Sequence, residues 1–310
     1  MELIEGFVSE CRARGLTDHT IETYRSNVQA FLKVYTQPAE VSLDDLRHYM
    51  GDLRARELQG STLKGHFASI SSFFDYLLIE GKAATNPIPS FRKRYLRIKL
   101  QYNGENTRQP GSIEQMRELL SLAARKILAR TMILFLAKTG LRRGELIAMD
   151  VYDLDMEKGE FRVKPKAKRS NRLGFIDAEL SAALREYLDW REPRAKCQAL
   201  WISSTGSRIT RNYVYSTITY YAMLAGLHDP HGALNKKFTP HCCRHFFTTT
   251  LRRAGMPREF IQELRGDRRK DVVDIYDHIE LEELRRSYLK FIPYLNVGPG
   301  RSGTLEEWIK

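Results

Sequence analysis

The segment Thr139-Gly140-Leu141-Arg142-Arg143-Gly144-Glu145-Leu146 follows a continuous apolar run at residues 132–137. The apolar run predicts a buried helix, and Gly140 is the residue type that commonly ends one. Arg142 is therefore expected at a helix junction, where its guanidinium could project into a cleft while Glu145 holds it from three residues away. A planar guanidinium with five donors suits bidentate binding of a phosphate. By itself, an arginine after a helix is more often a surface cation.

A second segment combines strand-like alternation with a dense run of positive charge. Residues 150–176 alternate as short strands do, with Gly159 in one turn and a cationic tip at residues 164–172. A lysine on such a hairpin could reach over a bound strand and donate a proton. The simpler interpretation of the same charges is a solvated turn.

Two further segments carry reactive side chains. His241 and Arg244 are three residues apart after Pro240, so they share one face of a predicted helix and could address one phosphate group. Asp267 follows a glycine and precedes Tyr276 by nine residues. Each signal is weak alone, because a capping histidine beside a surface arginine and a core tyrosine are common.

In their joint order and spacing, these segments resemble the tyrosine recombinase (phage integrase) family, of the archaeal and bacterial site-specific type. The matching features are Thr-Gly-Leu before Arg142, Lys166 on the hairpin 24 residues later, the His241-x-x-Arg244 box, and Tyr276 after a glycine-bearing turn. The resemblance covers nearly the whole chain. It implies that these five residues are catalytic, and that Glu145 is the acidic residue that usually follows the first arginine.

The resemblance also implies a reaction that uses neither a metal ion nor a cofactor. The Tyr276 hydroxyl would attack a DNA phosphodiester, forming a 3′-phosphotyrosyl bond and releasing a 5′-hydroxyl. The two arginines would bind the non-bridging oxygens and neutralise charge in the transition state. Lys166 would protonate the leaving oxygen and His241 would assist proton transfer near Tyr276.

The sequence departs from the family pattern at two places. Asp267, a further candidate site residue, stands where the family usually has His or Trp. It permits a dead site, a carboxyl that stays protonated, or a carboxylate that orients a nearby cation. In the hairpin, Pro165 replaces a common glycine, and Lys164 and Lys168 remain alternatives to Lys166.

The fold class expected is mostly α with a small β-hairpin or sheet. Residues 1–89 read as a four-helix, SAM-like core-binding domain, with N-caps at Thr17, Ser42 and Ser61. A basic linker at residues 90–111 leads to a mixed α/β catalytic domain at 112–310, which opens on a Ser112–Gln115 capping box. A tail helix after Tyr276 could dock on a neighbouring protomer or on its own domain.

Charge and composition favour a polyanionic partner. Fifty Lys and Arg against 38 Asp and Glu give a net charge of +12. The four cysteines fit neither a zinc site nor a disulfide framework, and no secretory signal or membrane span is evident, so a cytoplasmic, nucleoid-associated protein is expected. The expected partner is double-stranded DNA at a specific recombination site, bound by a homo-tetramer, with no membrane partner.

Several functions fit these expectations. We favour integration or excision of a mobile element over chromosome-dimer resolution by the same chemistry. A type IB topoisomerase uses a similar residue set, although the small helical N-terminal domain argues against it. A catalytically decayed DNA-binding protein is the alternative that Asp267 keeps open.

Overall fold

The computed structural model describes residues 2–96, 109–164, 172–267 and 279–296. The chain divides into two compact units, residues 1–101 and 102–310, each with its own hydrophobic core. The predicted fold class, mostly helical with a small sheet, is confirmed.

The N-terminal unit is a bundle of helices around an aromatic core. Its helices are α1 (Glu2–Ala13), α2 (Asp18–Leu32), α3 (Leu43–Ala55), α4 (Gly60–Ile79) and α5 (Ile88–Tyr95). Thr17 caps α2 and Ser42 forms a capping box on α3, as the sequence predicts, whereas α4 begins one residue before the predicted cap. The pairing of α2 with α4 encloses Phe31 and Phe67, both fully buried.

Helix α5 lies where the sequence predicts the start of a linker. Its Phe91 stacks on Phe67 at 5.1 Å between ring centroids, and Ile88 and Leu96 are also buried in the N-terminal core. Three cations in its last turn favour the negative end of the helix dipole. Because these cations dominate the composition, they conceal a short apolar face.

The second unit is built around one buried helix. Its helices are α6 (Ile113–Leu122), α7 (Ile127–Thr139), α8 (Arg143–Ala148), α9 (Ala178–Arg191), α10 (Arg211–Leu224), α11 (Pro240–Arg253), α12 (Arg258–Arg265) and α13 (Leu281–Phe291). The sequence predicts one stretch for what is α6 and α7, separated here by a turn at residues 123–126. Every residue at 132–137 is fully buried, since α7 packs between α9 and α11.

A three-stranded antiparallel sheet carries the predicted hairpin. The strands are β1 (Leu154–Asp155), β2 (Glu160–Val163) and β3 (Arg172–Phe175), in that order. Val163 pairs with Arg172, so both flanks of the hairpin tip are placed, while residues 165–171 lie outside the described part of the chain.

The tail helix α13 packs on its own unit. Leu284 and Tyr288 enter a cluster formed by Phe175 of β3 and by apolar residues of α11 and α12. The Tyr288 hydroxyl donates a hydrogen bond to the Lys138 carbonyl at 3.1 Å. Of the two docking modes that the sequence left open, this structure has the intramolecular one.

Gly140 ends α7 and sets the direction of the loop that follows. Its φ of +61° lies in the left-handed region, and a Cβ at this position would stand 2.4 Å from Cδ1 of Phe247. Gly226 after α10 has a similar φ of +67°, but its Cβ would meet open space. A side chain at either position would strain the backbone, but only at position 140 would it also collide with a neighbouring side chain.

We predict that Gly140→Ala lowers the free energy of unfolding by more than Gly226→Ala does. The backbone penalty alone is about 1–2 kcal/mol at each position, and only position 140 adds the conflict with Phe247. Urea unfolding of both variants measures the difference. Equal losses would show that the Phe247 ring moves aside at no cost.

Candidate active site

The end of α12 supplies the backbone acceptors of the site. Gly266 adopts φ +59°, and its N–H and that of Asp267 turn back to Glu263 and Gln262. The carbonyls of Leu264 and Arg265 instead accept hydrogen bonds from arginine side chains. The carbonyls at a helix C-terminus, which lack partners within the helix, thus become a platform for cations.

Arg244 lies on α11 with only 3% of its side chain exposed. Nη1 donates to the Gly140 carbonyl at 2.6 Å, and Nη2 donates to the Arg265 carbonyl and to Oδ1 of Asp267, both at 2.9 Å. Burial, together with the nearby positive charge of Arg142, lowers the pKa of Arg244 to about 9. The guanidinium is still cationic at neutral pH.

Arg142 is the N-cap of α8, in the loop that Gly140 directs. Nη1 donates to Oε1 of Glu145 at 3.2 Å and to the Arg265 carbonyl at 3.3 Å, while Nη2 donates to Oδ1 of Asp267 at 3.0 Å. Glu145 also accepts the backbone N–H of Arg142 at 2.8 Å. Glu145 therefore holds Arg142 as the three-residue spacing predicts.

Asp267 lies between the arginines. Its Oδ1 accepts from both Arg142 and Arg244, and its Oδ2 is 3.2 Å from Nε of Arg265. Among the states that the sequence left open for Asp267 is a carboxylate that orients a nearby cation. The structure places three arginines, Arg142, Arg244 and Arg265, beside this carboxylate.

Arg172 is the residue of this site that sequence reasoning missed. It begins β3 with 4% of its side chain exposed, and its guanidinium meets Glu145 at 3.0 Å and the Leu264 carbonyl at 3.1 Å. In the sequence it is the last of a run of cations, all of which resemble a solvated turn. Its pairing with Val163 in the strand register separates it from that run.

Arg142, Glu145 and Arg244 line a cleft that is rich in cations. The cleft is lined by residues that include Arg142, Arg143, Arg211, Lys237, His241 and Arg244. His241 lies one turn before Arg244 on α11, with its ring perpendicular to that of His245 at 4.5 Å. Such a concentration of positive charge raises the local concentration of an anionic ligand.

Lys164 is bound at the base of the hairpin. Its ammonium pairs with the carboxylates of Asp150 and Asp153 and lies over the Tyr152 ring. Burial opposes the charge on Asp150, but hydrogen bonds from Lys164, Tyr152 and Arg208 outweigh it and hold the pKa of Asp150 at about 2. These contacts hold the Lys164 ammonium against two carboxylates.

Lys166, Lys168 and Tyr276 lie outside the described residues. The other tyrosine near Tyr276 in the sequence, Tyr288, is 1% exposed, and burial raises its pKa well above the ordinary value. Tyr288 is therefore unsuited to attack a DNA phosphate.

Within residues 2–96, 109–164, 172–267 and 279–296, no group of three or more His, Cys, Asp or Glu side chains is placed to hold a metal ion. Among the helices of those ranges, none has the length and apolarity to cross a bilayer.

Comparison with known families decides the identity of the chain. The pattern described as Phage integrase family matches residues 112–283, and the pattern described as Phage integrase, N-terminal SAM-like domain, matches residues 3–80. The chain belongs to the phage integrase family. This confirms the family resemblance and the enzyme class expected from it, a transesterase that breaks and rejoins DNA strands.

Relatives of this integrase-family chain are found by sequence and by structure. It is 29% identical to the tyrosine recombinase XerC of Herpetosiphon aurantiacus over 86% of each chain. It is 24% identical to the tyrosine recombinase XerD of Chlorobaculum tepidum, over 90% of this chain and 92% of that one. The fold is similar to a lambda integrase dimer bound to a COC′ core site, with TM-score 0.69, 16% identity and coverage of 90% and 98%. It is also similar to the Tn1549 transposon integrase in complex with transposon right end DNA, with TM-score 0.68, 20% identity and coverage of 92% and 97%.

Proposed function

We propose that this chain is a site-specific DNA recombinase that acts through a 3′-phosphotyrosyl intermediate at Tyr276. The observation that carries the proposal is the convergence of two guanidinium groups on one oxygen atom. Arg142 and Arg244, which both line the cationic cleft, reach Oδ1 of Asp267 at 3.0 and 2.9 Å. Two guanidinium groups that converge on one carboxylate oxygen can also converge on a phosphate oxygen.

The proposed cleavage exchanges one phosphodiester for another. The Tyr276 oxygen bonds to phosphorus, the bond to the 5′-oxygen breaks, and His241 assists removal of the tyrosine proton. Lys166 delivers a proton to the 5′-oxygen, while Arg142 and Arg244 bind the non-bridging oxygens. Because the bond formed resembles the bond broken, rejoining needs no nucleotide.

The first test is the covalent adduct itself. We predict that Tyr276→Phe binds DNA normally but forms no protein–DNA adduct on a suicide substrate, since only the attacking oxygen is removed. Tyr288→Phe is the matched control and should still form the adduct. Recovery of adduct from Tyr276→Phe, located by peptide mapping, would place the nucleophile elsewhere.

The hairpin lysine is tested by improving the leaving group. We predict that Lys166→Ala is slow on ordinary DNA and is rescued by a 5′-bridging phosphorothioate, because that leaving group needs no general acid. Lys164→Ala should show no such rescue, since Lys164 is bound by Asp150 and Asp153. Rescue of Lys164→Ala or Lys168→Ala, without rescue of Lys166→Ala, would reassign the general acid.

We propose that Asp267 orients the two arginines and does not itself bind phosphate. Its contacts leave both guanidinium groups with N–H donors on other edges. Within the described residues, three of the five N–H groups of Arg244 are engaged, by Gly140, Arg265 and Asp267. A fixed carboxylate thus sets the direction of the donors that remain.

For Asp267→Ala we predict cleavage slower by about 10- to 100-fold, the usual scale for losing a residue that orients a ligand. Single-turnover rates of Asp267→Ala, Asp267→Asn and Asp267→His measure the effect. A loss as complete as that of Tyr276→Phe would make Asp267 a catalytic acid. An inactive natural chain that Asp267→His restores would identify a decayed recombinase.

The proposed partner is double-stranded DNA, recombined at the nucleoid by four protomers, because exchange requires two duplexes each cut on both strands. Similar folds support this assembly: a lambda integrase tetramer is known bound to a Holliday junction. Integration or excision of a mobile element is the use expected from the sequence. The similarity to XerC and XerD recombinases at 24–29% identity favours the alternative, chromosome-dimer resolution.

A further inference from the structure

Arg172 joins three segments that are distant in the sequence. From the first position of β3, its Nε donates to the Leu264 carbonyl at the end of α12, at 3.1 Å. Its Nη2 and Nη1 donate to the two oxygens of Glu145 on α8, at 3.0 and 3.4 Å. One buried guanidinium therefore connects the sheet, the arginine loop and the turn that presents Asp267.

The approach of Arg172 to that turn is close. A Cβ at Gly266 would stand 2.4 Å from Nη1 of Arg172, and Gly266 also requires φ +59°. The left-handed backbone and the nearby guanidinium both favour glycine at position 266. The position of the guanidinium is thus fixed from two sides, by Glu145 and by the turn.

Glu145 is shared between two arginines. It accepts from Arg172 through both oxygens and from Arg142 through its backbone N–H and its Nη1. With 4% of its side chain exposed, Glu145 depends on these partners in place of water. Without Arg172, the carboxylate could turn away from Arg142.

We propose that Arg172 is a positioning residue for strand cleavage: by fixing Glu145, it sets the orientation in which Arg142 meets the scissile phosphate. The inference rests on the proposed recombinase function. Strand β3 would thus help to orient Arg142, a role separate from proton donation by the hairpin lysine.

The charges around Glu145 give this role a specific signature. In the described part of the chain, the charged groups that act on it include Arg142, Arg172 and Arg244. Burial raises the pKa of Glu145, but the hydrogen bonds and charge of Arg172, followed by those of Arg142, outweigh burial and leave the pKa below its ordinary value. Removing Arg172 removes the strongest interaction that lowers the pKa of Glu145. Because burial still raises this pKa, it should be higher in the variant.

In Arg172→Met, Glu145 would take up a proton as the pH falls through its raised pKa, and a neutral carboxyl holds Arg142 weakly. Cleavage by this variant should therefore decline on the acidic side, over a range where the natural enzyme keeps its rate. Replacing Glu145 by Gln in the same variant should remove that acidic decline.

The experiment measures single-turnover cleavage of a suicide substrate between pH 5.5 and 8.5, with DNA affinity measured separately. We expect Arg172→Met to cleave about 10- to 100-fold more slowly at neutral pH, with affinity changed little and an added decline toward acid. Arg172→Lys should recover only part of the rate, since one ammonium cannot reach both Glu145 and the Leu264 carbonyl. NMR titration of the Glu145 carboxyl, without DNA, should show a higher pKa in Arg172→Met than in the natural chain.

Arg130→Met is the matched control. Arg130 is also a buried arginine paired with a glutamate, Glu186, and none of its side-chain hydrogen bonds or ion pairs in the described part of the chain joins it to the candidate site residues. Arg130→Met should lower stability without an acidic decline in cleavage. An unchanged rate in Arg172→Met, or a loss with the same pH profile as the natural enzyme, would overturn the inference alone. Absence of adduct from the natural chain would overturn the proposed function and this inference with it.

Discussion

Charges of alternating sign in a continuous row hold the catalytic unit together at its candidate site. The row runs through Arg172, Glu145, Arg142, Asp267 and Arg244. Its four successive N···O distances, in that order, are 3.0, 3.2, 3.0 and 2.9 Å. These residues come from β3, α8, the turn after α12 and α11. Each carboxylate therefore fixes two cations that belong to different elements, and the elements are aligned through them.

Such a row is stable only because its desolvation is compensated. Removing one partner of a buried ion pair typically costs about 3–5 kcal/mol, since the remaining charge is left buried without a counterion. Here the arginines also donate hydrogen bonds to main-chain carbonyls: Arg244 to that of Gly140, and Arg172 to that of Leu264. The left-handed glycines at the ends of α7 and α12 therefore do more than stop helices, because the chain reversals turn carbonyls toward the arginines.

The sequence predicted elements where periodicity and caps agree, and it predicted the site residues whose spacing forms a family pattern. It did not predict α5, because cations mask the face on which Phe91 packs against Phe67. It could not separate Arg172 from the surrounding cations, because burial of a charge depends on an acceptor far along the chain, here the Leu264 carbonyl. Glu145 was assigned one arginine and holds two, since the second arrives only through strand pairing.

The near-contact of Gly266 with Arg172 has an evolutionary consequence. A side chain at position 266 would stand 2.4 Å from the guanidinium, and the backbone there already favours glycine. The effects of substitutions at such neighbouring positions are not additive. Loss of the arginine would remove the steric conflict at position 266, but the backbone would still favour glycine there and the proposed positioning of Glu145 would be lost. The two positions should therefore vary together among descendants of this sequence, with a side chain at 266 better tolerated where the arginine is absent.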